Sequence, residues 1–215
     1  MAKKAVLFDL DGTLWDSTAE TTRAWNQTFA KCSDLPGFEM TVQTMAGLMG
    51  KTTAEIAACL LPQLPLSRAV EVVQLCCAEE NAQLLRHGGK LYPGVQELFV
   101  QLAQLGGVHI VSNCETGYIE AFLQYYRALQ PLVDGFLCAG ETGRPKGENI
   151  TALCARHHID SAIYVGDTQS DLDAALFAGL PFIHAAYGFG TVDRPVPTAR
   201  TPLDILPLAE RLLAQ

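Results

Sequence analysis

The sequence predicts an α/β fold in which helices flank a parallel β-sheet and an all-helical segment follows the first strand. The apolar run Ala5–Phe8 is typical of a buried strand, and Gly12-Thr13 provides the turn that ends it. From about residue 90 onward, further short apolar runs alternate with helical patterns. Between Ser17 and Gly89 the patterns are helical only. A chain of 215 residues can hold one domain or two.

Short apolar runs mark the expected strands of the sheet. They are Ala5–Phe8, Val108–Ser112, Gly135–Cys138, Ala162–Val165 and Pro181–Ala185. The helical patterns that separate them are Val95–Leu105, Gly117–Tyr126, Asn149–His157 and Ser170–Ala178. This alternation implies parallel strands joined by right-handed crossovers.

The segment after the first strand breaks this alternation. Its helical patterns are Ala19–Cys32, Thr41–Met49, Thr53–Leu61 and Ser67–Leu85, separated by glycine and proline residues. We therefore expect a core domain of residues 1–16 and 90–215, and a helical cap domain of residues 17–89. The chain would pass between them at hinges near Trp15–Ser17 and His87–Lys90.

The amino-acid composition argues against several classes of binding partner. The net charge of −8 and the pI of about 5.0 argue against binding to nucleic acid or to an anionic membrane. No apolar run approaches the ~20 residues of a membrane-spanning helix, and the N-terminus does not have the pattern of a signal peptide. The seven cysteines are scattered without a C-x-x-C motif, as expected of reduced thiols in a cytoplasmic protein. The sequence leaves open whether the protein is a monomer or a homodimer.

Two carboxylates follow the first strand directly. Asp9 and Asp11 lie at its carboxyl end, where open α/β sheets place their ligand sites. Two acids this close repel each other, which raises one pKa unless a cation or hydrogen bonds intervene. The alternative is a charged turn after an edge strand.

Polar residues also follow three later strands. Ser112-Asn113 offers a hydroxyl and backbone N–H groups for phosphate oxygens, and Lys146 offers a point charge in a proline-stiffened loop. Asp167 and Asp171 surround a strand-to-helix turn. Taken singly, these residues fit an ordinary polar turn, a solvated lysine and a helix cap formed by Asp167 or Ser170.

In this order, the motifs resemble those of the haloacid dehalogenase superfamily, and within it the phosphatases with a helical cap of the first type. Phe8–Leu14 matches the first motif in full, and Ser112, Lys146 and Gly166-Asp167 with Asp171 match the next three. Tyr92–Val95 matches the segment by which such chains return from the cap to the core. The resemblance covers nearly the whole chain and implies a Rossmann-like parallel sheet core with an inserted helical cap.

The resemblance also implies roles for these residues. Asp9 would be the nucleophile that forms an aspartyl-phosphate, and Asp11 would protonate the leaving oxygen and then activate water. Mg²⁺ would be the cofactor, because it suits an all-oxygen site. Its ligands would be Asp9, the Asp11 carbonyl and Asp167, with Asp171 beside them; Ser112, Asn113 and Lys146 would bind the phosphoryl oxygens.

Individual residues favour some subgroups of the superfamily over others, and the cap is expected to determine substrate specificity. Asp11 favours an oxygen leaving group, because dehalogenases and phosphonate-cleaving members lack an acid there. Thr21 stands where sugar-phosphate mutases carry a histidine, which weakens the mutase interpretation. Gly47 and Lys51 belong to the cap loop that contacts substrate in relatives. Lys51 is either a substrate-anion contact or simply a residue at a helix N-terminus.

The expected function is therefore Mg²⁺-dependent hydrolysis of a small phosphomonoester, with phosphoglycolate-like acids first. An inorganic pyrophosphatase, a sugar-phosphate phosphatase or mutase, and a protein phosphatase remain alternatives. A non-catalytic module that binds phosphorylated ligands is an alternative of a different class. Its weakness is that a binding module has no need of both a nucleophile and an acid such as Asp9 and Asp11.

Overall fold

The computed structural model describes residues 3–214 and contains a six-stranded sheet and a two-stranded ribbon. The strands are β1 (Lys4–Phe8), β2 (Trp15–Asp16), β3 (Lys90–Leu91), β4 (Gly107–Ser112), β5 (Gly135–Cys138), β6 (Ser161–Gly166), β7 (Phe182–Ala185) and β8 (Thr198–Ala199). The α-helices are α1 (Thr18–Phe29), α2 (Val42–Ala46), α3 (Thr53–Leu60), α4 (Leu66–His87), α5 (Val95–Leu105), α6 (Tyr118–Tyr125), α7 (Ala139–Thr142), α8 (Lys146–Arg156), α9 (Gln169–Phe177) and α10 (Ile205–Leu213).

The large sheet is parallel throughout and has the order β5-β4-β1-β6-β7-β8. β1 lies at its centre, and Phe8 at the end of β1 is in register with Ile110 of β4 and Val165 of β6. The three strands therefore end at the same edge. The loops that follow them meet there, as is usual for ligand sites of open α/β sheets.

Both faces of the sheet are covered, which explains why its strands are apolar runs rather than alternating patterns. On one face, Val6 and Phe8 of β1 pack in a cluster with Phe99 of α5 and Phe122 of α6. On the other face, Leu7 belongs to a second cluster with residues of α8 and α9. Successive β1 side chains thus enter opposite cores, as a strand with a side-chain period of two requires.

Helices α1 to α4, here called the helical segment, have an apolar core of their own. Trp25 and Phe29 of α1 pack there with Val72 and Val73 of α4. The chain enters and leaves this segment through adjacent strands, because β2 and β3 pair antiparallel. The division into a core of residues 1–16 and 90–215 and a cap of residues 17–89 stays a prediction.

Some predicted elements differ in length from those observed. The helix predicted over Thr41–Met49 is shorter, because Thr41 is the N-cap and Gly47 follows the last helical residue. The helix predicted over Asn149–His157 starts earlier, at Lys146. Among residues 3–214, no helix is both long and apolar enough to cross a membrane.

Candidate active site

The loops at the carboxyl edge of the sheet bring together the polar residues that the sequence singles out. Asp9 and Asp11 follow β1, Ser112 ends β4 and Asn113 follows it. Lys146 begins α8, Asp167 follows β6, and Asp171 lies in the first turn of α9. Each of these seven residues is at most 8% exposed. Buried charged groups are costly unless they are paired, hydrogen-bonded or bound to a cation. This edge is therefore the candidate active site.

Lys146 joins two of the buried carboxylates. Its Nζ donates to Asp9 Oδ1 at 2.8 Å and to Asp171 Oδ1 at 2.6 Å. Burial favours the neutral amine, yet the negative charges of Asp171 and Asp9 hold the pKa of Lys146 well above its ordinary value. The ammonium group thus stays charged and fixed beside Asp9 at neutral pH.

Asp9, Asp167 and Asp171 form a cluster of acids with too little positive charge around it. Each can offer a carboxylate oxygen within 4.8 Å of the others. Burial and the neighbouring Asp171 raise the pKa of Asp9 well above its ordinary value, although Lys146 lowers it. Burial likewise raises the pKa of Asp167 to about 7. A divalent cation would relieve this repulsion, and an oxygen-only donor set fits a hard cation such as Mg²⁺ or Ca²⁺.

Backbone groups fix the position of Asp167. Its Oδ2 accepts hydrogen bonds from the N–H groups of Phe189 and Gly190, at 2.7 and 3.3 Å. The chain approaches so closely that a Cβ added to Gly12 would lie 2.3 Å from Asp167 Oδ2. Gly12 also has a φ of +80°, in the left-handed region that favours glycine. A residue without a side chain is therefore required at this position.

Replacing Gly12 with alanine should displace Asp167 and weaken cation binding. Gly179→Ala is the matched control, because Gly179 has a φ of +69° but no atom within 4 Å of an added Cβ. We expect the control to lose about 1 kcal/mol of stability from backbone strain alone. Gly12→Ala should lose more and should gain less stability from added Mg²⁺ in thermal melts. Equal losses and equal Mg²⁺ responses in the two variants would contradict this interpretation.

Asp171 both caps a helix and positions Lys146. Its Oδ2 accepts hydrogen bonds from Thr168 N at 3.0 Å and from Thr168 Oγ1 at 2.7 Å. Thr168 is the N-cap of α9, and the two residues form a capping box. The alternative interpretation, in which Asp167 or Ser170 caps this helix, is therefore wrong. Thr168 takes that position and leaves the Asp167 carboxylate to the cluster.

Two hydroxyl groups hold the carboxylate of Asp11. Ser17 Oγ donates to Asp11 Oδ1 at 2.6 Å, and the Tyr118 hydroxyl donates to the same atom at 2.8 Å. Burial raises the pKa of Asp11 to about 6, while these two hydrogen bonds lower it. Sequence reasoning did not identify either hydroxyl as part of the site. Ser17 lay in an expected hinge, and Tyr118 is distant in the chain.

A cavity of about 60 Å³ separates the helical segment from this edge of the sheet. Asp11, Ser112 and Asn113 line it from the sheet side, and Lys51 lines it from the helical segment. Asn113 Nδ2 donates to the carbonyl oxygen of Gly50 at 2.9 Å, which links the two sides. The volume suffices for only a few water molecules, so the site suits a small ligand. Gly47 directly follows α2 and is not among the residues that line the cavity.

The buried acids predict an unusual dependence of stability on pH in metal-free protein. Burial raises the pKa of Asp11 to about 6, of Asp167 to about 7 and of Glu80 to about 8. The folded state therefore binds protons more tightly than the unfolded state. This contribution is present near pH 4 and is lost as the pH rises through these values. We expect the melting temperature in a chelator to fall between about pH 5.5 and pH 8.5. A melting temperature that rises over this range would contradict the assignment.

A family model described as haloacid dehalogenase-like hydrolase matches residues 6–185. The chain belongs to this hydrolase family. A phosphoglycolate phosphatase of Rhodospirillum rubrum is 30% identical over 199 residues, which cover 86% of this chain and 80% of that protein. A phosphoglycolate phosphatase of Rhodobacter capsulatus is 27% identical over 96% of this chain and 91% of its own. The family predicted from the motifs is thus confirmed.

Solved structures agree with the observed architecture of this haloacid dehalogenase-like hydrolase. A haloacid dehalogenase-like family hydrolase of Streptococcus pneumoniae has a TM-score of 0.77 at 25% identity, over 95% of this chain and 97% of its own. A protein of Lactobacillus delbrueckii subsp. bulgaricus has a TM-score of 0.81 at 20% identity over the full length of both chains. The predicted α/β fold with a Rossmann-like parallel sheet is confirmed.

Proposed function

We propose that this hydrolase is a Mg²⁺-dependent phosphatase that cleaves a small phosphomonoester through an aspartyl-phosphate on Asp9. The observation that carries the proposal is the contact of Lys146 with Asp9 inside a cluster of buried acids. This contact places the Asp9 carboxylate beside the fixed positive charge of Lys146. The same carboxylate lies beside other carboxylate oxygens that could bind a metal cation. Phosphoryl transfer requires mainly such positioning and charge stabilisation.

In the first step, an oxygen of Asp9 bonds to phosphorus as the bond from phosphorus to the leaving oxygen breaks. Asp11 donates its proton to that leaving oxygen. In the second step, water attacks phosphorus, Asp11 accepts a proton from the water, and the bond from phosphorus to Asp9 breaks. Phosphate leaves, and both carboxyl groups return to their starting states. The hydrogen bonds from Ser17 and Tyr118 to Oδ1 of Asp11 keep its carboxyl group oriented for both transfers.

Mg²⁺, when bound, would neutralise the phosphoryl oxygens and the carboxylate cluster. Its protein ligands would be the Asp9 carboxylate, the Asp11 carbonyl oxygen and the Asp167 carboxylate. Asp171 would act through Lys146, which it contacts at 2.6 Å. Ser112, Asn113 and Lys146 would hold the remaining phosphoryl oxygens. Lys51, which is exposed and lines the cavity, is the proposed cap contact to substrate, and Gly47 would contribute only through the course of its loop.

The substrate is proposed from the relatives and from the cavity. The names of the relatives described above, taken alone, put phosphoglycolate first among the candidates. The small cavity supports a low-molecular-weight ester over a protein substrate. Thr21 stands where the mutases carry a histidine, so no imidazole is available there. Its hydroxyl donates to Glu80 instead. The acidic net charge and seven free cysteines support a cytoplasmic enzyme without nucleic-acid or membrane partners.

Phosphate release from a panel of substrates tests the proposal. The panel contains phosphoglycolate, pyrophosphate, sugar phosphates, nucleoside monophosphates and an aryl phosphate, each with Mg²⁺ and with a chelator. We expect Mg²⁺-dependent release from at least one small phosphomonoester. Folded protein that releases no phosphate from any member of the panel with Mg²⁺ would contradict the proposal and favour a binding module.

A further inference from the structure

Glu80 is a buried carboxyl group of the cavity that the proposed mechanism does not use. It lies on α4, is 6% exposed and lines the cavity together with Asp11. Its Oε1 accepts a hydrogen bond from Thr21 Oγ1 at 3.1 Å, and its Oε2 accepts one from Trp25 Nε1 at 2.7 Å. When Glu80 is ionised, both oxygens keep a lone pair for a further donor. Glu80 is therefore held in one orientation with acceptor capacity to spare.

Two asparagine side chains add further acceptors. Asn113 Nδ2 donates to the carbonyl oxygen of Gly50 at 2.9 Å, and Asn81 Nδ2 donates to that of Thr116 at 3.0 Å. A carbonyl oxygen can only accept, so these contacts fix which end of each amide is the oxygen. Among the described residues, neither Oδ1 atom has a hydrogen-bond partner, and both are buried. Since both residues line the cavity, a ligand there can supply the missing donors.

Apart from Ser112 at the phosphoryl site, the hydroxyl donors around the cavity are already engaged with acids of the protein. Thr21 donates to Glu80, Thr53 donates to Glu115, and Tyr118 donates to Asp11. Lys51 is the one cationic side chain among the residues that line the cavity, and it is exposed. Among its polar groups, the part of the cavity beyond the phosphoryl site therefore presents mainly acceptors.

We propose that this cavity selects phosphomonoesters whose leaving group carries hydroxyl or ammonium donors, with Glu80 as the specificity-determining residue. The inference rests on the proposed function and ranks the substrates of the same site. A polyol or amino-alcohol phosphate would satisfy Glu80, Asn81 and Asn113. A carboxylate leaving group, as in phosphoglycolate, would set a further acceptor against them. Phosphoglycolate would then be hydrolysed less efficiently than a donor-bearing ester of similar size.

The expected discrimination follows from unpaired buried groups. A site built to bind a substrate donor rejects an analogue without it, because the buried acceptors of the site stay unsatisfied. Hydrogen bonds to charged groups contribute enough to change kcat/KM by about tenfold or more. Lys51 is too exposed to offset this loss, since exposed ion pairs contribute little. The leaving group thus determines the rank of substrates that share the same phosphoryl site.

Relative kcat/KM values for four esters test the inference: glycerol phosphate, ethanolamine phosphate, phosphoglycolate and an aryl phosphate. At about pH 9 Glu80 is ionised, because burial raises its pKa only to about 8. Asp11, whose pKa is about 6, is then ionised too, which lowers the absolute rates of the three alkyl esters alike and leaves their ratios as the readout. For the wild-type protein, we expect the two donor-bearing esters to exceed phosphoglycolate by about tenfold. Glu80→Gln should reduce this ratio by about tenfold and retain aryl phosphate hydrolysis. Glu79→Gln is the matched control on α4, because Glu79 does not line the cavity, and it should leave the ratio unchanged.

A wild-type preference for phosphoglycolate, or an unchanged ratio in Glu80→Gln, would overturn the inference. If Glu80→Gln does not fold, Asn81→Met removes a different acceptor from a partly exposed position and should also lower the ratio. An unchanged ratio in that variant would count against the inference in the same way. Failure of the two proposals can be told apart. No release from any ester at neutral pH would overturn the phosphatase proposal and this inference with it, whereas aryl phosphate hydrolysis with the reverse ranking would overturn only the inference.

Discussion

Replacing Asp9 with asparagine is expected to lower phosphate release by about 10,000-fold or more. An amide oxygen is a poor nucleophile and cannot form the aspartyl-phosphate. Phosphate release with saturating Mg²⁺ measures the effect. Asp173→Asn is the matched control, because Asp173 is an exposed acid of α9 outside the cluster. Activity of Asp9→Asn within tenfold of wild type would contradict the nucleophile assignment.

The same variant should not lose stability when no metal is present. The wild-type cluster holds Asp9, Asp167 and Asp171 around one ammonium group, and burial together with their repulsion raises the pKa of Asp9. Asparagine removes one negative charge and keeps an oxygen that can accept from Lys146. In thermal melts with a chelator, Asp9→Asn should therefore unfold at the wild-type temperature or above it. A lower melting temperature would mean that the loss of activity reflects damage to the fold.

Replacing Lys146 with methionine is expected to remove both activity and stability. Methionine fills much of the same volume but leaves Asp9 and Asp171 without the ammonium group that they contact at 2.8 and 2.6 Å. Breaking a buried ion pair by removing one partner costs about 3–5 kcal/mol. Loss of a fixed charge at the phosphoryl group should also lower kcat by about 100-fold or more.

Denaturant unfolding in a chelator measures the stability loss of Lys146→Met. Lys31→Met is the matched control, because Lys31 is 70% exposed and its nearest acid, Glu79, is 3.8 Å away. That exposed pair should contribute less than about 1 kcal/mol. Lowering the pH should reduce the difference between Lys146→Met and wild type, because protonation neutralises the carboxylates left without a partner. A loss below about 1 kcal/mol for Lys146→Met would mean that the buried contact contributes little.

The sequence predicted the central strands well because both faces of the sheet are covered. β1, β4, β5 and β6 are short apolar runs that end in polar turns, and no other pattern competes with them. β2, β3 and β8 contain only two residues each, too few to form a periodic pattern. α10 was also not predicted, although its apolar face packs against the sheet through Ile205 and Ala209. Pro207 interrupts the pattern there, yet proline is tolerated in the first turn of a helix.

The candidate site was predictable where its residues follow strands in short motifs. The predicted parallel sheet alone brings Asp9, Ser112 and Asp167 to one edge. The partners of Asp11 and the carboxyl group of Glu80 were not predictable in this way. Tyr118 is 107 residues from Asp11, and Glu80 is 59 residues from the Thr21 hydroxyl that it binds. The first contact depends on how α6 packs against the loop after β1, and the second on how α1 packs against α4, which local patterns do not determine.

The most direct test of an aspartyl-phosphate on Asp9 is to trap it during turnover. Wild-type protein is mixed with Mg²⁺ and its fastest substrate, quenched in acid within the first turnover and reduced with borohydride, which converts an acyl phosphate of aspartate to homoserine. Peptide mass spectrometry then locates the change. We expect Asp9 to be converted in the complete reaction and to stay unmodified when substrate is omitted. Phosphate release with Asp9 unmodified throughout, or conversion of a different acid, would contradict the proposed mechanism.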